Sequence, residues 1–165
     1  MTLPTTAPVG DLATAEDTLA RDLADCSGFQ SLVGVVTSMA ALPFIWIPRV
    51  PETESAPFAE INGTRVRRAH IGSGTSYTYR ADGDIDVYIE WPVPDEPDGE
   101  TGEVVEFNEA DRQAKNLIDT ISTELRTGTR DLMITEVDYL VGRTPESEDE
   151  NLNARHYAIM TVRWR

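Results

Sequence analysis

The chain has 165 residues, 29 acidic and 14 basic, for a net charge of −15 at pH 7. That length allows one ordinary core but not two, and so acidic a surface repels phosphate backbones, which excludes free nucleic acid as a ligand. One cysteine, Cys26, excludes an intrachain disulfide framework, and no Cys/His spacing matches a zinc site. The expectation is a soluble, intracellularly made single domain over 1–165. It has no signal peptide and nothing near the roughly 20 apolar residues that span a bilayer. Lys115 is the only lysine. The arginine bias is what a GC-rich genome or a salt-adapted host would produce, and arginine also suits bidentate interface pairs.

In chain order, residues 1–10 read as a loose leader, with Pro4, Pro8 and Gly10 among threonines. Leu12, Leu19 and Leu23 recur at helical spacing and predict a helix over 11–25, capped by Asp11 or Thr14. Gly28 breaks it, and Phe29, Leu32 and Val33 predict a second helical piece with Ser27 and Gln30 as a capping box. Thr37 to Leu42 predicts one more helical turn, ended by Pro43. Phe44-Ile-Trp-Ile47, between Pro43 and Pro48, is long enough for one short strand.

From Pro57 the pattern turns to β. Arg65 to Ile71 predicts a strand, Gly72-Ser73-Gly74 a turn, and Ser76 to Trp91 one long strand with a bend near Gly83. Ile85, Val87, Ile89 and Trp91 share one face of it, while Asp84, Asp86, Tyr88 and Glu90 share the other. Residues 92–108 hold three prolines, two glycines and six acidic residues, with no basic residue, and predict a flexible acidic loop.

An amphipathic helix follows, capped by Asn108, with Ala110, Ala114, Leu117, Ile118, Ile121 and Leu125 on one stripe and Gly128 at its end. Leu132 to Val141 predicts a strand of imperfect alternation. A second acidic loop carries Glu146, Glu148, Asp149 and Glu150, and Ala154 to Trp164 predicts the last strand. The fold class is therefore α+β: a mainly antiparallel twisted sheet, an amphipathic helix packed on one face, and an N-terminal helix.

No catalytic, cofactor-binding or metal residue is assigned. His70 precedes Gly72-Ser73-Gly74, but a nucleophile elbow needs G-x-S-x-G between strand and helix. Asp82, Asp84 and Asp86 have a calcium-like start, yet the sixth and twelfth positions hold Val87 and Val93 instead of Gly and Glu. Strand alternation explains that acidic spacing more simply. No phosphate loop is present. Cys26 has no basic neighbour to activate it, and His156 has no metal-like neighbour at i+2 or i+4.

The remaining feature is a basic strand: Arg65, Arg67, Arg68 and His70, joined by Arg80. Two compatible readings hold. The arginines pair with carboxylates across the sheet, or they form the positive side of a head-to-tail subunit interface.

The order of elements resembles the tail-terminator (tail-completion) proteins of tailed phages. The matching pieces are Leu12 to Ala24, Phe44-Ile-Trp-Ile-Pro48, and Tyr79 to Trp91 with its aromatic, Gly83 and alternating apolar residues. Ala110 to Leu125, Leu132 to Val141 and His156 to Trp164 complete the layout. The segment Phe29-Gln-Ser-Leu-Val-Gly34 is also similar to one in some prophage-like proteins of this size, whereas the long loop at 92–108 departs from the compact members.

The resemblance implies a ring, usually hexameric, between the tail tube and the head connector. Its partners would be its own copies, the tail tube protein, and a connector or stopper protein, with DNA only as passing cargo. The protein would be made in the host cytoplasm and reside in the virion. Catalysis, cofactors and membranes have no part in that role. Arg65, Arg67, Arg68 and Arg80 are then candidate subunit-interface residues, and Asp82, Asp84, Asp86 and Glu90 a candidate lumen-facing stripe. Other expectations are another neck component, a small binding module, or an accessory enzyme with a dispersed site around His70, Ser73 and His156.

Overall fold

The computed structural model describes residues 12–48, 56–71, 78–92, 101–128, 132–143 and 154–164. For 68–71, 78–81, 101–107, 126–128, 141–143 and 154–155 it describes the backbone alone. The order is α1 (Leu12–Asp25), α2 (Ser27–Val33), α3 (Ser38–Ala41), a 3₁₀ turn (Leu42–Phe44), β1 (Ile45–Trp46), β2 (Phe58–Ile71), β3 (Thr78–Trp91), α4 (Thr101–Gly128), β4 (Leu132–Arg143) and β5 (Ala154–Trp164). The fold is α+β, as expected.

The five strands form one sheet in the order β1-β2-β3-β5-β4. Every pairing is antiparallel except β1 with β2, which are parallel through Ile45↔Ala59 and Trp46↔Glu60. Alternation along the strands sends one set of side chains to the helices and the other set away from them. The helix-facing set is apolar: Ala59 and Ile61 on β2, Ile85, Val87 and Ile89 on β3, and Ala158, Met160, Val162 and Trp164 on β5, all buried. Leu19 and Leu23 of α1, Phe29 of α2, and Ile118 and Ile121 of α4 close over them to make the core.

Several local expectations change. The loop expected at 92–108 is helix from Thr101 onward, so α4 runs 28 residues and Asn108 lies inside it rather than capping it. After Gly102 that stretch contains neither proline nor glycine, and acidic residues near a helix N-terminus favour its dipole; charge density had masked helical capacity. Residues 93–100 lie outside the described residues, as do the leader 1–10, Gly72-Ser73-Gly74 and the acidic loop at 146–150.

The Ser27–Gln30 capping box does not form. Cys26 is the N-cap of α2 and makes no side-chain cap. Ser27 Oγ instead donates to Glu124 Oε1, and Gln30 Nε2 donates to the Ala24 carbonyl at 2.8 Å. Thr37 does cap α3, its hydroxyl accepting from the Ala40 N–H at 3.2 Å.

The strand expected at 65–71 begins earlier, at Phe58. Its irregularity lies on β2, between Gly63 and Arg65, and not at Gly83 of β3. The Gly63 N–H there donates to Glu16 Oε1 of α1 at 2.9 Å. A second shift between Ile134 and Glu136 explains the imperfect alternation of β4. Gly83 is a true close approach: a Cβ there would meet the Arg65 carbonyl oxygen at 2.0 Å and Trp164 Nε1 at 2.6 Å.

Candidate functional site

The sheet face turned away from the helices is where the charged residues gather. Beyond the shift at Gly63, Arg65 stands opposite Asp84, and Arg67 opposite Asp82. On the other side of β3, Asp84 stands opposite Arg163 and Asp86 opposite Thr161. The two candidate groups, arginines of β2 and aspartates of β3, are therefore neighbours on one surface.

Arg67 Nη2 donates to Asp84 Oδ2 at 3.2 Å, and Arg67 Nε lies 3.3 Å from Asp82 Oδ1. The second contact is an approach of charges, since Asp82 Oδ1 makes no directed hydrogen bond among the described residues. Arg163 Nε donates to Asp84 Oδ1 at 3.4 Å, and the Thr161 hydroxyl donates to Asp86 Oδ1 at 3.0 Å. Cross-strand pairing is thus present. Half-exposed pairs like these are worth a few tenths of a kcal/mol each.

Arg65 is exposed and has no ion pair among the described residues. For Arg68 and Arg80 only the backbone is described: Arg68 stands opposite Ala81, and Arg80 opposite Ala69.

Toward the other end, the same face becomes aromatic. Phe58 stacks on Tyr88 at 6.1 Å, and Tyr88 meets Tyr157 at 4.7 Å. Glu90 lies within this patch, only 7% exposed, where its carboxylate accepts from the Tyr88 hydroxyl at 2.7 Å. It is therefore not an open member of the acidic stripe; Asp82, Asp84 and Asp86 are the half-buried part. The sequence alternation placed Glu90 with them, but packing of aromatic neighbours could not be read from spacing.

A second polar cluster ties α4 to the sheet. His156 is 5% exposed, and its Nδ1 lies 2.8 Å from Asp111 Oδ1, while Lys115 donates to the other oxygen of Asp111. Burial tends to raise the Asp111 carboxyl, but the hydrogen bonds from Lys115 and His156 outweigh that and hold it below its ordinary value. The His70–Ser73–His156 grouping does not assemble. His70 stands opposite Tyr79, and His156 opposite Trp91, twelve residues further along β3, or roughly 40 Å of extended strand. Ser73 lies outside the described residues.

Cys26 is buried, and desolvation first, then the nearby Glu124, Asp22 and Asp25 charges, push its thiol up to about 12. Its Sγ donates to the Asp22 carbonyl at 3.1 Å. Among the described residues no group of three His, Cys, Asp or Glu side chains is arranged to hold a metal ion. No single described helix is long and apolar enough to cross a membrane.

What the fold and this surface define is an α+β domain with one sheet face covered by helices and the other carrying an arginine–aspartate lattice. Compared with protein families, the chain matches no family model, and it matches no curated protein.

Proposed function

We propose that this chain is a structural virion protein that forms a ring at the head-proximal end of a phage tail, ends tube polymerisation there, and joins the tail to the head connector. The observation that carries this reading is the sheet itself: one face is closed by helices, and the other, over which no described helix packs, is lined with paired charges and aromatics. A surface of that kind suits repeated contact with protein neighbours more than it suits a buried substrate. The order of elements supports it as well, from the N-terminal helix through the long hairpin and amphipathic helix to the two closing strands.

In this reading the ring is usually hexameric, and its partners are its own copies, the tail tube protein and a connector or stopper protein. Asp82, Asp84 and Asp86 then line the channel, where Asp82 and Asp84 hold Arg67 and Arg163 in ion pairs and so keep those cations from passing DNA, while the chain as a whole carries −15. Arg65, Arg67, Arg68 and Arg80 serve the contact between copies. The protein is made in the host cytoplasm and resides in the virion. No catalytic step and no cofactor enters the role.

The test is negative-stain microscopy of the purified chain, alone and mixed with growing phage tail tubes. Rings seated on one tube end, with growth halted, are expected. Tubes that lengthen unchanged in its presence would overturn the proposal; a structure of the ring with the aspartate stripe on the outer rim would overturn the channel-lining role of Asp82, Asp84 and Asp86.

A further inference from the structure

Besides the two-residue β1, two strands of the sheet carry unpaired outer edges among the described residues. β4 is last in the strand order, and β1 pairs with β2 only at Ala59 and Glu60, which leaves the β2 edge open from Arg65 to Ile71. An open edge is a template for another strand, and it is closed most economically by a second copy whose other edge matches. The two edges here differ in charge. β2 presents Arg65 and Arg67; β4 presents Glu136 and Asp138, both exposed, with no ion pair among the described residues.

Strand direction and face agree with that match. β2 runs against β3, β3 against β5, and β5 against β4, so β2 and β4 run in opposite senses. A second copy in the same orientation would therefore bring β4 antiparallel to β2. Arg65 and Arg67 project from the open face, as do Glu136 and Asp138, which stand opposite Thr161 and Ile159 of β5. One antiparallel register sets Arg65 against Asp138 and Arg67 against Glu136 together. In it Val66, 42% exposed in the single chain, meets Val137 on the opposite face. A slip of one residue would put every charge on the wrong side.

We infer that copies of this chain join head to tail through the β2 edge of one and the β4 edge of the next, Arg65 facing Asp138 and Arg67 facing Glu136, so that the sheet continues from copy to copy. The inference deepens the proposed ring and rests on that reading only for what the ring does. The contact is heterologous: closure gives a ring, and failure to close gives a filament.

Charge exchange tests it. Arg65 and Asp138 take part in no described ion pair within the chain, so reversing either leaves the fold's own pairs intact. By sedimentation at low salt, Arg65→Asp alone and Asp138→Arg alone should each weaken self-association by about tenfold or more, with thermal unfolding unchanged for Asp138→Arg and slightly lowered for Arg65→Asp, which sets a second carboxylate opposite Asp84. The double variant restores an opposite-charge pair at every junction, and its association should return to within about threefold of the starting chain. Single variants that associate normally, or a double variant no better than the singles, would overturn the pairing.

A second readout does not rely on charge. Oxidation of an Arg65→Cys/Asp138→Cys chain should give a ladder of covalent multimers, whereas either single cysteine variant faces no thiol across the junction and should stay uncrosslinked, Cys26 being buried. A chain that stays monomeric at high concentration and gives no ladder overturns the inference. Tube capping separates the two proposals. Exchange-rescued rings that halt no tube would keep the pairing and overturn the tail reading. Capping by chains with a reversed charge on one edge would do the opposite.

Discussion

Glu124 of α4 caps α2 from outside. Its carboxylate accepts from the Ser27 hydroxyl and from the Gly28 N–H at 3.2 Å, across 97 and 96 residues of sequence. The first turn of α2 is thereby satisfied by another helix. The contact works only because α2 and α4 approach closely at Gly28, where a Cβ would stand 2.9 Å from the Leu117 carbonyl oxygen.

Removing this cap should cost what an N-cap costs. Glu124→Ala is expected to lower unfolding stability by about 1–2 kcal/mol, and Glu124→Gln, which keeps one acceptor, by less. Urea titrations of the three proteins at pH 7 check the order. Equal midpoints would show that the contact contributes nothing.

The same carboxylate and Asp111 make the fold acid-sensitive. Burial acts to raise both, but for Glu124 the bonds from Ser27 and Gly28 prevail, and for Asp111 those from Lys115 and His156, so both sit below their ordinary values. A carboxyl depressed in the folded state adds stability above its unfolded pKa, about 4, and loses it as pH falls through the folded pKa. Stability should therefore hold from pH 7 down to about 5 and fall steeply below about 4. An Asp111→Asn/Glu124→Gln chain should start lower and fall less steeply. A parallel decline of both proteins with pH would exclude these two groups as the cause.

Cys26 should be inert while the chain is folded. With its thiol pushed up to about 12, almost no thiolate exists at pH 8, and burial blocks the reagent as well. Labelling by a thiol-reactive dye is expected to follow the unfolding curve in urea. Rapid labelling of the native protein would contradict the packing around α2.

Gly83→Ala should be among the most damaging small substitutions. The added methyl meets the Arg65 carbonyl oxygen and the Trp164 indole, and the first is sheet backbone that cannot move aside. Overpacking of this kind costs about 1–3 kcal/mol or more, enough to lower the melting temperature by several degrees. Calorimetry of Gly83→Ala beside Gly34→Ala, where no neighbour lies within 4 Å, separates crowding from backbone strain at Gly34 (φ 74°).

Much of this protein was legible from the order of its residues. Period-two alternation in Ile85, Val87, Ile89 and Trp91 identified the buried face of β3, and the stripe from Ala114 to Leu125 identified the core side of α4, because local periodicity and burial are two views of one geometry. The strand Ala154–Trp164 was read to the residue. Charge density hid the first turns of α4, since acidic composition reads as solvated loop whether or not the backbone is helical. The cap from Glu124 and the burial of Glu90 were beyond sequence reading altogether; that β2 arginines pair with carboxylates across the sheet was read from the sequence, but not that Asp82, Asp84 and Arg163 are the partners in the Arg67 lattice. Each depends on strand order and register, which are settled by long-range packing of faces that local spacing does not encode. The excess charge of −15 was plain from composition; that its arginines and aspartates would lie side by side on one open face was decided only when β2, β3 and β5 came together.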